Sequence, residues 1–251
     1  MLTAERRRSI LQMLQRNGKV LASELSKTLL VSEDTIRRDL RELAAAGELE
    51  RVHGGALLYS PTTASFVTRK QQSPESKTAL AKAAVELIQQ DQVIILDGGS
   101  TLLHVAHHLP SDLRATIITH SAPIALALAE YAKVEVILIG GRLYKHELVT
   151  VGASTIDAFR NIRADLCFLG IGRLHPEAGI STYDLEESYV NRAMIASATE
   201  VVALTSAEKL GTIAPYIVGP IRTLTHLVTD SSVADDVLAT YRLQGVHIIR
   251  A

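Results

Sequence analysis

One cysteine, no tryptophan and an aromatic content of 4% are what this 251-residue chain has least of. The lone Cys167 excludes an intramolecular disulfide framework and any cysteine-rich zinc or iron–sulfur site, and it favours a reducing compartment. So few rings count against the stacking platforms that bind single strands and many RNAs. No run approaches the ~20 apolar residues of a membrane span. The opening MLTAERRRSILQML interleaves charge where a signal peptide would be apolar, so a cytoplasmic location is expected. Neither sign of charge dominates: 26 Lys and Arg against 27 Asp and Glu leave a formal charge of -1 and no whole-chain pull toward a polyanion. With 15 Gly and 7 Pro the chain is neither collagenous nor of low complexity, and 47% hydrophobic residues can fill a real core.

The charge is better read by region. Residues 1–60 hold ten basic and eight acidic residues, a balance of +2, so the remainder carries -3. The texture changes at Tyr59–Lys77, YSPTTASFVTRKQQSPESK, which is rich in Ser, Thr and Gln and contains Pro61 and Pro74. It reads as a linker over 59–77, between a small domain at 1–58 and a larger one at 78–251.

The small domain packs three helical patterns into about 45 residues. Ile10, Leu11 and Leu14 mark the first, and Leu21, Leu25, Leu29 and Leu30 the second. Ser32 is a good N-cap for the third, with Glu33 and Asp34 in the first turn where the helix dipole favours acids. Ile36, Leu40 and Leu43 face inward and Gly47 stops the helix. Gly54-Gly55 between Leu49/Val52 and Leu57 fits a hairpin. Two short helices with a tight break suit a helix-turn-helix, whose second helix lies in the DNA major groove. Its outer face carries Thr35, Arg37, Arg38 and Arg41, of which the arginines suit bidentate contact with guanine or phosphate. Ser32 and Thr35 are candidate phosphate contacts, and Arg51 and His53 would place the hairpin as a wing on the backbone. The bland alternative is that ERRR and IRRDLRE are solvated, salt-bridged helix faces.

After the linker, short β-branched runs alternate with helical segments, predicting a mostly parallel, doubly wound α/β sheet of six or seven strands. In such sheets ligands bind at the carboxyl ends of strands. Asp97-Gly98-Gly99-Ser100-Thr101 follows the strand VIIL and opens a helix, a place where amides, hydroxyls and the helix dipole face an anion. Gly140-Gly141-Arg142 and Gly170-Ile171-Gly172-Arg173 follow other strands, and Lys209 offers a mobile positive charge. A phosphorylated metabolite would suit this set. His104, His107 and His108 have ligand-like spacing on a predicted helix, yet no neighbouring acid or Cys completes a metal site, and a solvated cluster is the alternative. Cys167, between Leu166 and Phe168, reads as a buried inert thiol.

The segment from ERRRSILQML to VSEDTIRRDLRELAAAGELERVHGGA resembles the helix-turn-helix of the DeoR family of bacterial transcriptional regulators. DGGST, IITHSAPIA, LIGG, GISTYDLEESYVNRAMI and the EKLG segment resemble that family's sensor domain, so the likeness covers nearly the whole chain. It implies a winged helix-turn-helix followed by a sensor similar to ribose-5-phosphate isomerase-like folds. It further implies a repressor of a sugar or carbohydrate operon, bound as a dimer or tetramer to double-stranded DNA. The implied effector is a phosphorylated sugar or related metabolite held by Gly98, Gly99, Ser100, Thr101, Thr119, His120, Ser121 and Lys209. Asp97, Gly141 and Arg173 join that set from their strand-end positions. Two departures from the family pattern stand out: His120 where Asn is usual, and Ala207-Glu208 where a hydroxyl usually precedes the Lys. The alternative is a sugar-phosphate isomerase-like enzyme with an added helical domain. The stretch matching the isomerases' acidic motif, Gly170-Ile171-Gly172-Arg173-Leu174, carries no acid, so the device for proton abstraction is missing and no catalysis is expected. Effector binding would act by altering the spacing of two recognition helices.

Overall fold

The computed structural model describes residues 3–17, 19–45, 49–52, 54–58 and 65–251. The chain divides into two compact units at Ala64 and Ser65.

In the first unit, α1 (Thr3–Asn17) leads to β1 (Lys19–Leu21), α2 (Ala22–Leu29), α3 (Glu33–Ala45), β2 (Leu49–Val52) and β3 (Gly55–Leu58). Ile10, Leu14, Val20, Ala22, Leu25, Ile36, Leu40, Leu43, Leu49 and Ala56 form its core, the outcome of apolar residues repeating at helical spacing on three short helices. The hairpin read at Gly54-Gly55 is present, and β1 joins it antiparallel to give the order β1-β3-β2. A Cβ on Gly55 would lie 2.1 Å from the Val20 carbonyl oxygen, so only glycine lets β1 approach. The apolar stripe expected on α2 is narrower than its leucines suggest. Leu30 is 90% exposed and ends the helix in a left-handed conformation (φ 54°, ψ 45°).

The second unit begins earlier than expected. Within the stretch read as linker, Phe66–Lys70 is helical (α4), capped by the Ser65 hydroxyl accepting from the Thr68 N–H at 3.4 Å. Pro74 opens α5 (Pro74–Val85) at its first turn, where the lost N–H costs nothing, rather than punctuating a loop. Phe66 is buried against α6 (Ser100–His107) in the core. Residues 59–64 of the expected linker lie outside the described residues.

Seven parallel strands form the main sheet: β4 (Gln92–Leu96), β5 (Ala115–Thr119), β6 (Val134–Leu138), β9 (Ala164–Gly170), β12 (Ala198–Thr205), β14 (His226–Thr229) and β15 (His247–Arg250). Their order is β15-β14-β12-β9-β4-β5-β6, so the winding reverses between β4 and β9. The connecting helices include α7 (Ala122–Leu128), α8 (Ala153–Arg160), α9 (Leu185–Ala196) and α10 (Asp235–Arg242). Two small antiparallel sheets stand beside the main one: β7 (Arg142–Tyr144) with β8 (Val149–Val151), and β10 (Arg173–His175), β11 (Gly179–Thr182) and β13 (Tyr216–Gly219). Cores of Ile, Leu and Val lie on both faces of the main sheet, and Cys167 is fully buried in one of them, where burial pushes its thiol up.

Candidate functional site

On α3 the predicted geometry is present. The Ser32 hydroxyl accepts from the Thr35 N–H (3.3 Å) and meets the Thr35 hydroxyl at 2.9 Å, which caps the helix and gives both hydroxyls a neighbour. Ile36 and Leu40 are buried, and Arg37, Arg38 and Arg41 stand exposed. The three arginines are not equivalent. Arg37 pairs along its own helix with Glu33 (3.0 Å) and Asp34 (3.4 Å), whereas Arg38 and Arg41 have no ion pair among the described residues. Arg51 is exposed on β2, and His53 lies outside the described residues.

Part of the basic sequence turns out to be scaffold. Arg6 on α1 pairs with Asp39 on α3 (Nε to Oδ2, 2.5 Å) in a buried site, Arg7 adds a contact to Asp39 at 3.1 Å, and Arg7 also reaches Glu42. Burial pushes the Asp39 carboxyl up, but hydrogen bonds and charge from the two arginines outweigh it and hold the group below its ordinary value. The ERRR and IRRDLRE motifs are therefore split, one set of arginines holding α1 on α3 and another facing out.

In the second unit Asp97 directly follows β4 at the point where the winding reverses. Its Oδ1 accepts from the Gly98 N–H (2.6 Å) and faces His120 Nε2 (2.9 Å); its Oδ2 accepts from the Gly170 N–H (2.9 Å) at the end of β9. His120 is fully buried, and its Nδ1 donates to the Thr150 carbonyl at 2.8 Å. With Nδ1 committed as donor, Nε2 meets a carboxylate and also carries a proton. Burial opposes the charged ring, but the hydrogen bond and charge of Asp97 outweigh it and raise His120 above its ordinary value. Asp97 and His120 thus clamp three strand-end loops together from beneath, and neither side chain is free to reach outward. Thr119 is similarly engaged, its hydroxyl accepting from the Ser121 N–H at 3.1 Å.

Gly98 and Gly99 lie above this clamp. A Cβ on Gly98 would come within 2.3 Å of Val149, while Gly99, at φ +108°, has open space on its Cβ side and opens α6 with Ser100 and Thr101. Ser121 Oγ is buried with no hydrogen-bond partner among the described residues. Gly141 is positioned differently: it follows the edge strand β6, and a Cβ there would strike the Thr155 hydroxyl at 2.1 Å. Close packing against α8 accounts for this glycine.

Cations gather on the same side. Lys209 donates to the Ile171 carbonyl at 2.8 Å, and Arg173, whose Nε donates to the Tyr183 hydroxyl at 3.1 Å, lies near enough to depress it. Burial, then the charges of Arg69 and Arg173, bring Lys209 down to about 8. Lys77 falls to about 8 through burial and the charge of Arg69. Glu208, beside Lys209, is exposed and accepts from the Ser206 hydroxyl at 2.5 Å, so its carboxylate points away from the buried Lys209 ammonium. Arg69 and Glu147, an ion pair with both side chains largely buried, carry no signal in the sequence. Glu187, half-buried beside the Thr182 hydroxyl (2.8 Å), is pushed up to about 8 by burial and by the charges of Glu147 and Asp97. The array is polar and mixed in sign, with a neutral carboxyl available as a donor. Of the histidines on and just after α6, His104 Nδ1 meets the Thr78 hydroxyl at 3.2 Å and His108 Nδ1 donates to the His104 carbonyl at 2.8 Å. No group of His, Cys, Asp and Glu among the described residues is arranged to hold a metal.

Residues 6–62 match the DeoR-like helix-turn-helix domain and residues 72–231 the DeoR C terminal sensor domain. The HTH-type transcriptional regulator GolR of Listeria innocua serovar 6a is 33% identical over 250 residues, which is 99% of this chain and 98% of that one. The glycerol-3-phosphate regulon repressor of Escherichia coli strain K12 is 30% identical over 232 residues, 92% of each chain. Ribose 5-phosphate isomerase A of Methanocaldococcus jannaschii aligns over 53% of this chain and 52% of its own, with 18% identity and a TM-score of 0.39.

Proposed function

This chain belongs to the DeoR family of transcriptional regulators, DNA-binding proteins rather than enzymes, and from that premise we propose that it represses a sugar or carbohydrate operon under control of a phosphorylated sugar or related metabolite. The observation that carries the effector class is the place of Lys209, whose ammonium reaches the Ile171 carbonyl just past Gly170, itself packed on Gly98 where the sheet reverses, with Arg69 and Arg173 near enough to act on its charge. Burial lowers Lys77 and Lys209, and the charge of Arg69 lowers both further, a situation that a bound anion relieves. The glycerol-3-phosphate regulon repressor among the relatives points to the same ligand class.

The direct contacts fall to Gly98, Gly99, Ser100, Thr101, Ser121, Arg173 and Lys209, with Asp97, Thr119 and His120 holding the loops that present them. On DNA, Arg38 and Arg41 read bases or phosphates from α3, Ser32 and Thr35 touch phosphate, and Arg51 and His53 belong to the wing. Arg37 contributes less, since its guanidinium is shared with Glu33 and Asp34. One such helix makes few base contacts, so the protein acts as a homodimer or tetramer assembled through the unit from Ser65 onward.

Calorimetry of the full chain against a sugar-phosphate panel tests the effector reading. At least one member binds, and Lys209→Ala removes that binding; a panel in which only unphosphorylated sugars bind refutes it. Light scattering measures the assembly, and a monomer at operator-binding concentration refutes that part.

A further inference from the structure

Helix α4 is five residues long, too short to persist by its own hydrogen bonds. Its tethers hold it in place. Phe66 is buried against α6, and its N–H donates to the His146 carbonyl at 2.8 Å. The Lys77 ammonium donates to the Arg69 and Gln72 carbonyls and so closes the helix's C-terminal end. The Arg69 guanidinium donates through Nη2 to Glu147 Oε2, an ion pair in which the side chains are 15% and 9% exposed. Arg69 Nε, also buried, has no acceptor among the described residues. The pair does not therefore exhaust the guanidinium, and a second acceptor would meet a donor already out of water.

We propose that Arg69 is an effector-binding residue and that the anionic group of the effector takes its guanidinium from Glu147, releasing α4, the first element of the unit that follows the DNA-binding domain. The inference rests on the reading of the cleft as an anion site. A phosphate offers a guanidinium two parallel acceptors, where Glu147 engages one nitrogen. Glu147 and the incoming anion are both negative and share the neighbourhood of Glu187, so the two do not occupy Arg69 together without mutual repulsion. Competition of this kind gives the effector different affinities for the tethered and released forms of α4, the condition any ligand-driven switch must satisfy. In sequence, residues 59–65 are all that separates β3 from α4, so α4 is the element of the second unit nearest along the chain to the DNA-binding unit.

The test uses the full chain with inorganic phosphate as probe, and reads hydrogen exchange at amides 66–72 alongside phosphate affinity. Glu147→Gln raises exchange there about tenfold without phosphate, leaves β9 unchanged and binds phosphate about tenfold more tightly. Arg69→Gln raises exchange equally but weakens phosphate by a similar factor, and it measures the same tether should Glu147→Gln fail to fold. Wild-type exchange in both variants, or equal phosphate affinity in Glu147→Gln and the native protein, overturns the inference while leaving the anion site standing. Phosphate binding to neither protein overturns both.

Discussion

The two units spend their charged residues in opposite ways. In the DNA-binding unit, Arg6 and Arg7 close on Asp39 and Glu42, Arg37 folds back on its own helix, and Arg38 and Arg41 stand in water. In the sensor, cations and acids are turned inward to one set of strand ends, where burial moves Lys77, Lys209 and Glu187 to about 8. A polymer of phosphates that arrives from outside is met by exposed, permanently charged arginines. A small ligand that must be recognised and reported is met by groups whose protonation is still adjustable.

Asp39 offers the largest effect with which to break the comparison. Asp39→Ala leaves Arg6 buried without a counter-charge and destabilises the DNA-binding unit by about 3–5 kcal/mol, with the sensor's unfolding unchanged, as followed by denaturant titration. Because the folded Asp39 is held below its ordinary value, the stabilisation is complete above the unfolded carboxyl range of about 3.9 and is lost as pH falls through the folded value. Acid should therefore unfold this unit in a step that Asp39→Ala abolishes.

Next in size, Arg38→Ala and Arg41→Ala each weaken binding to the protein's own upstream DNA by about 1–3 kcal/mol where the side chain reads a base, and Arg37→Ala by less. Gel-shift titrations in which Arg37→Ala is the most damaging would reverse the assignment of roles on α3.

The sensor's half of the comparison is sharpened by pH. Above about 8, Lys77 and Lys209 lose protons and Glu187 gains a charge, so anion affinity falls, by up to about tenfold per unit for each linked proton. Binding near pH 8 should also take up protons, visible as a calorimetric heat that scales with buffer ionisation enthalpy. An affinity flat from pH 7 to 9 contradicts the inward arrangement. The smallest expected effect concerns Leu30, exposed and left-handed at the turn before α3. Leu30→Gly removes the Cβ clash of that conformation and raises stability by about 0.5–1 kcal/mol after the entropy of the freer unfolded chain is counted.

The central strands were legible because VIIL and LCFL are continuous apolar runs and TIIT is β-branched throughout, the mark of strands covered on both faces. Ser32, Ile36, Leu40 and Leu43 were legible for a like reason, since capping and helical spacing are local properties. The segment around Phe66 was not, because five residues among Ser, Thr and Gln carry no periodicity and their helix exists through contacts with α6 and His146. The strands at 173–175, 179–182 and 216–219 escaped notice because each is three or four residues long, and the last pairs with a strand more than thirty residues upstream. Glu187 carries no local mark in the sequence; its raised value comes from burial and from Glu147 and Asp97, forty and ninety positions upstream, being beside it.

By itself, then, the sequence determined the kinds of element, the capped helix with its exposed arginines and the Gly-rich turn that opens α6, since these follow from spacing, caps and backbone freedom within a few residues. Only the tertiary structure decided which charges are scaffold and which are presented. Arg6 and Arg38 differ in nothing local: one is buried 2.5 Å from Asp39 and the other stands in solvent. His120 was a candidate ligand until Asp97 and Thr150 were found on its two nitrogens. The physical reason is that a charge's role depends on its partners and its burial, and both are set by residues far away in the chain.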